Sequence, residues 1–337
     1  FSCGFIMLIS YLYIKLKRYL FKIKMNKIKE LDLHNDVVAV LAIEELNKNG
    51  VVKINNFISN EDCIELKNLL TGSQLRNSNQ LTFIQLDDAK FFSNAVAQSR
   101  AAFNLVTSVD TLKIAKKYLG EEIRLKCHRA YTTKKNYFFP WHTDNKFDET
   151  KNNKKGIVFI VYLVDTENGA TEFILGSHKE SELYEKNNFS DNAINSKFKD
   201  KVVKAKGKMG CAVISDARTI HRGSIEKGKD INRYSFWFQI DANTDEAERL
   251  LLNPEYLPNN ISQELKEYLG FSKKFGLDVH PVTTNIDKVL PFTYRLKMLF
   301  KYLILTFLIP LHWLRLKLPI KIKIILKEIF KSKTDWN

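Results

Sequence analysis

Three short stretches hold the side chains of this 337-residue chain that could do chemistry together. "FFPWHTDNK" (138–146) sets His142 and Asp144 two positions apart after an aromatic run and a proline. "DARTIHRGS" (216–224) carries His221, and "NRYSFWF" (232–238) carries Arg233 and, two positions on, Ser235. An imidazole and a carboxylate at i and i+2 of an extended chain point to one face, a geometry that can hold one metal ion. Two polar residues in a turn would look the same. With 7 His and 18 Asp, chance alone yields such a pair about a third of the time, so the pair has to be weighed with the rest of the chain.

His221 lies in an expected strand, as do Arg233 and Ser235. Two imidazoles and one carboxylate on a rigid sheet suit divalent iron, because they take one face of its octahedron and leave three positions open for a cosubstrate and dioxygen. A closed structural site would not leave them. Arg233 adds a flat two-donor fork, always charged, of the kind that pairs with a carboxylate.

The elements that must position these residues change character along the chain. "DVVAVLAIEELNKNG" (36–50) has helical spacing with Gly50 as its stop, "VVKINNF" reads as a strand, and "ISNEDCIELKNLL" as a short helix capped by Ser59 or Asn60. Residues 88–105 and 110–119 read as further helices. From 121 the chain turns to strands: "EEIRLKCHRAYTT", the continuous apolar run "GIVFIVYLV" (156–164), "ATEFIL", "KVVKAK", "GCAVIS", "RTIHRGS" and "NRYSFWFQI", with turn residues between them. Residues 245–270 read as helical again. A helical layer followed by many short strands predicts an α+β, mainly β fold: a jelly-roll body with an N-terminal helical layer on one sheet and helices at the C-terminus.

The order His-x-Asp, apolar strand, "NGATEFILGSHK" (168–179), "TIHRGS" and an Arg-x-Ser strand resembles the phytanoyl-CoA dioxygenase-like branch of the iron(II)/2-oxoglutarate oxygenases. The opening "NGVVKINNFISNEDCIELKNLL" is similar to the helix–strand–helix start of those proteins, and the resemblance spans about residues 35–245. It implies a double-stranded β-helix (cupin-like) core and hydroxylation of a carbon with release of succinate and CO2. The cofactors it implies are Fe(II), 2-oxoglutarate and O2. It places His142, Asp144 and His221 as iron ligands and catalytic centre, and Arg233 on the distal carboxylate of 2-oxoglutarate, with Ser235 and Ser224 as further donors to it. One of Lys126, Arg129 or Tyr131, on the strand before His142, is expected to face the cosubstrate. Halogenases of this kind carry a small residue where this chain has Asp144, so a halogenating outcome is not expected. His178, in a Gly-Ser turn, is expected to be structural, and Asp216 to be a turn residue.

The charge distribution bounds the partners. The net +15 sits at the ends: residues 1–30 carry +6, residues 285–337 carry +8, and 31–284 are nearly neutral at +1. A neutral body speaks against a nucleic-acid enzyme, whose active face should be basic. The flanks are also apolar. The first has about eleven uncharged residues before its basic cluster and the second about thirteen, both short for a membrane span, so the expectation for both is peripheral contact with a membrane surface, the alternative being helices that pack on the body or on another copy and display a solvated basic face. Four cysteines without CxxC spacing fit a reducing, cytoplasmic setting. The chain opens on Phe1, with Met7 and Met25 as candidate starts. The expected organisation is a basic flank (1–30), an oxygenase domain (31–284) taking a small-molecule substrate, and a basic amphipathic helical tail (285–337). The competing expectation is a jelly-roll module without catalysis that binds a ligand or partner. Polar loops at 146–156 and 180–200 are expected to flank the site and set specificity.

Overall fold

The computed structural model describes residues 27–33, 37–71, 83–86, 89–134, 140–145, 155–180, 188–224, 232–242, 247–271, 273–274, 296, 299–304 and 306. The chain divides into two units, Phe1–Thr283 and Thr284–Asn337. The 146–154 part of the first expected specificity loop, and most of the C-terminal tail, lie outside the described residues.

In the first unit β1 (Glu30–Asp32) leads to helix α1 (Val38–Asn49) and β2 (Val51–Asn55). The turn between them needs Gly50: its φ of 77° closes α1, and a Cβ there would lie 2.5 Å from both His178 Nδ1 and Thr219 Oγ1. Helix α2 (Asn60–Thr71) starts at Ser59, whose Oγ accepts from the Asp62 N–H. The sequence predicts one helix over 88–105. The structure instead has a hairpin, β3 (Phe83–Leu86) with β4 (Ala89–Phe92), then α3 (Ala95–Gln98) and α4 (Arg100–Thr107). Phe91 and Phe92 pair with the long β5 (Ile123–Lys134), and this tertiary edge outweighs their local helical spacing. Helix α5 (Val109–Leu119) is capped by Ser108.

The remaining strands are β6 (Trp141–His142), β7 (Gly156–Tyr162), β8 (Thr171–Ile174), β9 (Asn188–Phe189), β10 (Val202–Lys204), β11 (Ala212–Asp216), β12 (His221–Gly223) and β13 (Asn232–Ala242), with α6 (Asp191–Phe198) between β9 and β10. They form two sheets, an eight-stranded one ordered β1-β2-β11-β7-β13-β5-β4-β3 and a five-stranded one ordered β10-β8-β12-β6-β9. Apart from β1–β2, every pairing is antiparallel. This is the jelly-roll core that the strand pattern predicts.

The wholly apolar β7 is buried on both faces. Phe159 and Val161 face the helices, where Phe159 stacks on Phe238 with ring centres 4.6 Å apart. Val158, Ile160 and Tyr162 face the smaller sheet, against Phe173 and Val203. A third apolar cluster joins Ile194 and Phe198 of α6 to Trp141, Ile174 and Ile220 on the outer face of the smaller sheet. The described part of 180–200 therefore includes a helix packed behind that sheet. Among the described residues of 245–270 the regular helix is confined to α7 (Gln263–Tyr268), preceded by a 3-10 turn at Pro254–Tyr256. Pro254 and Pro258, with Asn259 and Asn260, break the helical spacing there.

Candidate metal centre

His142 ends β6 and His221 starts β12, and the two are backbone partners. Sequence spacing predicts Asp144 further along the same strand. In the structure β6 stops at His142, and Asp144 lies in the following bend, where the N–H groups of Asp144 and Asn145 both donate to the Ala217 carbonyl at 2.9 Å. The chain around His221 is held as firmly. Gly50 O accepts from Asp216 N (3.0 Å) and Thr219 Oγ1 (2.8 Å), and Ser177 Oγ accepts from Ile220 N (2.9 Å). The "GSHK" segment is thus structural, with His178 buried and its Nε2 donating to Asn47 O at 3.4 Å.

The three side chains meet. His142 Nε2 lies 3.9 Å from Asp144 Oδ1, His221 Nε2 lies 3.5 Å from Asp144 Oδ2, and one ligand atom from each falls within 4.8 Å of the others. Both rings turn Nδ1 to a backbone carbonyl, His142 to Pro140 O at 2.8 Å and His221 to Thr219 O at 2.9 Å. A carbonyl can only accept, so Nδ1 carries the hydrogen and each Nε2 offers a lone pair inward. Burial, reinforced by the neighbouring His221, pushes the His142 imidazole down to about 4 against the opposing pull of Asp144 and the Pro140 carbonyl. At neutral pH it is therefore uncharged, as a metal ligand would need to be. Asp144 Oδ2 is buried with no hydrogen-bond donor. An orphaned carboxylate oxygen facing two imidazole lone pairs fits a divalent cation.

Arg233 projects from β13 into the space between the sheets and is buried. Its Nη1 donates to Gly169 O at 3.0 Å and reaches Thr171 Oγ1 at 3.5 Å. Gly223, two residues beyond His221, makes room for it: a Cβ there would lie 3.3 Å from Arg233 Nη2. No carboxylate pairs with Arg233 among the described residues. Its Nε, and the hydroxyls of Ser235, Ser224, Thr132 and Thr133, are buried without hydrogen-bond partners.

The three candidates on β5 separate clearly. Lys126 is the extra residue of a β-bulge opposite Gln239/Ile240. Its ammonium donates to Asn145 Oδ1 at 2.7 Å and lies 3.2 Å from Asp241. Arg129 stacks over Trp237 and approaches Glu248 at 3.5 Å. Tyr131 places its ring 5.4 Å from the Arg233 guanidinium. Spacing did not single out two further groups. Asn145 links Lys126, Gln239 (2.7 Å) and Asp241 (3.3 Å) in a buried network beside Asp144. Asp216, expected as a turn residue, is a buried anchor that receives Tyr118 Oη at 2.6 Å and the Arg218 guanidinium at 2.7 Å. Asp216 also makes the expected turn, its Oδ1 accepting from Arg218 N at 2.8 Å, whereas the bond from Tyr118 and the Asn145 network come from long-range pairing that no local signal marks.

The family model described as "Phytanoyl-CoA dioxygenase (PhyH)" matches residues 46–233, more than half of the chain. No curated protein matches. Among solved structures, the chain resembles the non-heme alpha ketoglutarate dependent epimerase SnoN from nogalamycin biosynthesis at 17% identity, 61% of this chain, 84% of that chain and a TM-score of 0.48. EctD from S. alaskensis in its apo form matches at 16% identity, covering 70% of this chain and 89% of that one, with a TM-score of 0.48. SnoN in complex with Fe3+, alpha ketoglutarate and nogalamycin RO gives 16% identity, 70% and 96% coverage and the same score. The family match spans the end of helix α1, the stretches that carry His142, Asp144 and His221, and Arg233, so this chain belongs to the phytanoyl-CoA dioxygenase family.

Proposed function

We propose that the chain is an Fe(II)- and 2-oxoglutarate-dependent dioxygenase that hydroxylates a small-molecule or lipid-linked substrate, with release of succinate and CO2. Fe(II), 2-oxoglutarate and O2 are the cofactors of the family. His142, Asp144 and His221 would hold the iron. When bound, iron with 2-oxoglutarate supplies activation of O2 for attack on an unactivated carbon.

The chain's own residues bind, orient and exclude water. The Pro140 and Thr219 carbonyls keep both Nε2 atoms unprotonated. Asp144 supplies the negative charge. Arg233 anchors the distal carboxylate of 2-oxoglutarate, with Ser235 and Ser224 as hydroxyl donors beside it. The observation that carries this proposal is the buried Arg233 guanidinium: with no carboxylate partner among the described residues, it is poised for an anion supplied from outside. The test is succinate release from 2-oxoglutarate with added Fe(II), screened over metabolites and lipids. Turnover in wild type and loss in Asp144→Ala are expected. Iron and 2-oxoglutarate binding without succinate from any substrate would favour the non-catalytic module.

A second element concerns location. In the second unit, helical Leu299, Phe300, Tyr302, Leu303 and Ile304 are all exposed, within a stretch (285–337) that carries +8. Among the described residues no helix is long and apolar enough to cross a membrane. Exposed apolar side chains combined with excess Lys and Arg match a segment lying on an anionic bilayer surface. The chain would then act at the cytoplasmic side of a membrane, where the buried free thiols of Cys63, Cys127 and Cys211 stay reduced. Co-sedimentation with phosphatidylserine vesicles, lost on removal of 285–337, is the expected result.

A further inference from the structure

The two histidines belong to one complete rung of the smaller sheet. Reading across its strands, Asn188 (β9), His142 (β6), His221 (β12), Phe173 (β8) and Val203 (β10) are successive backbone partners. The adjacent rung is Phe189, Trp141, Arg222, Glu172 and Lys204. Side chains alternate along a strand, so this second rung faces the opposite, outer side. There it forms a connected chain. The Arg222 guanidinium lies over the Trp141 ring at 4.3 Å, its Nε donates to Glu172 Oε2 at 2.7 Å, and Glu172 Oε1 is 3.7 Å from Lys204 Nζ. Asp191, the first residue of α6, closes the row. Its Oδ1 accepts from both Trp141 Nε1 (3.0 Å) and Arg222 Nη1 (2.6 Å).

The row lies behind the junction of β6 and β12. β6 has two residues, and His142–His221 is its single register pair with β12. A two-strand junction joined at one pair has little ladder to define its spacing. Trp141 and Arg222, each one residue from a histidine, stack across that junction, and Asp191 ties them together with one carboxylate oxygen. Trp141 and Glu172 are buried, the two cations of the row are balanced by two carboxylates, and the hydrophobic side of α6 (Ile194, Phe198) seats Asp191 on the row. The buried part of the row, Trp141 and Glu172 with Arg222 between them, is satisfied by hydrogen bonds, which favours one geometry.

We infer that Trp141, Arg222, Glu172 and Asp191 are positioning residues that set the separation of the His142 and His221 imidazoles, and through it the affinity of the centre for a divalent cation. This rests on the metal-binding role proposed above. Groups that hydrogen-bond directly to metal ligands shift affinity by roughly 10–100-fold when removed; the row acts through the backbone, so its effect is expected at the lower end of that range.

The test is titration of the full chain with Co(II), followed by its d–d absorption, alongside thermal unfolding of the metal-free protein. Arg222→Ala is expected to weaken Co(II) binding by about 10-fold and to alter the absorption envelope. Arg222→Lys, which keeps the charge and loses the flat fork, should recover part of the loss. Asp191→Ala changes a side chain that is 66% exposed, so it serves if Arg222→Ala fails to fold. It is expected to weaken Co(II) binding in the same direction with the metal-free melting point near wild type. Lys197→Ala, on the same helix and off the row, should bind as wild type does. Wild-type Co(II) affinity and spectrum in folded Arg222→Ala and Asp191→Ala would overturn the inference while leaving the centre itself standing. Equal binding by wild type and His221→Ala would instead show that the centre does not take the metal, and would take this inference down with it.

Discussion

His221 is the backbone partner of His142, and their rings stand with centres 4.3 Å apart across β6 and β12. Two imidazoles at that separation, each with Nδ1 tied to a carbonyl, leave two Nε2 lone pairs converging on the Asp144 carboxylate. Removing any one of the three leaves two donors. His142→Ala, Asp144→Ala and His221→Ala should each weaken divalent-metal binding by at least ~100-fold, more than loss of a supporting group costs. Calorimetric titration of metal into each variant measures this directly, and succinate release should fall to background.

Arg233 makes the second prediction. Charged hydrogen bonds contribute about 1.5–3 kcal/mol each, and a tenfold change in affinity corresponds to about 1.4 kcal/mol. Arg233→Lys keeps a charge and loses the bidentate geometry, so the concentration of 2-oxoglutarate needed for half-maximal rate should rise about tenfold. Arg233→Ala should raise it about a hundredfold or more. Metal affinity, read separately, should change little in both. An unchanged 2-oxoglutarate requirement in Arg233→Ala would remove the residue from the cosubstrate site.

The third prediction concerns pH and stability. His128 is buried, its Nε2 accepts from the Val96 N–H at 3.3 Å, and burial, aided by the Arg129 charge, pushes it down to about 3. The unfolded chain takes up this proton near pH 6.5, while the native protein does not until about pH 3. Its neutral state therefore favours the folded form above about pH 6.5, and that contribution is lost as pH falls from there toward 3, by about 1.4 kcal/mol per pH unit. Urea unfolding at pH 7, 6, 5 and 4 should show this slope, and His128→Gln should show a shallower one. Parallel slopes for the two proteins would contradict the assignment.

The fourth prediction uses Gly156, at the start of β7. A Cβ there would lie 2.6 Å from Asn145 Nδ2 and 3.0 Å from the Ala217 Cβ, and would collide with Asp241 Oδ1. Asn145, Asp241 and Lys126 form the buried network beside Asp144, and the Ala217 carbonyl holds the Asp144 N–H. Gly156→Ala should cost about 1–3 kcal/mol through overpacking. Displacement of Asn145 should also weaken metal binding. The urea midpoint and the metal titration check the two halves separately.

Much of the fold was legible because it is local. The apolar run 156–164, the short strands with turn residues and the Gly50 stop each carry their element in their own residue types. Failures came where a distant partner overrode local spacing. Phe91 and Phe92 joined β5 instead of a helix, and 247–262 followed its prolines and asparagines instead of its apolar spacing. His142, Asp144, His221 and Arg233 were singled out by the order of their motifs, which resembles that of the family, and the structure brings one potential ligand atom of each of the first three within 4.8 Å of the others. The strand assumed to carry Asp144 was not there: a bend pinned to Ala217 O does that work.

The sequence by itself determined the donors: which imidazoles, which carboxylate and which guanidinium are present, and the alternating apolar pattern that builds sheets to carry them. Only the tertiary structure decided how those donors are aimed. The Nδ1 bonds to Pro140 and Thr219, the single register pair between β6 and β12, and the outer row of Trp141, Arg222, Glu172 and Asp191 join residues far apart along the chain. Residue type limits what a side chain can donate or accept. Which partner it meets depends on strand register and on the removal of water, and both exist only once the two sheets have closed.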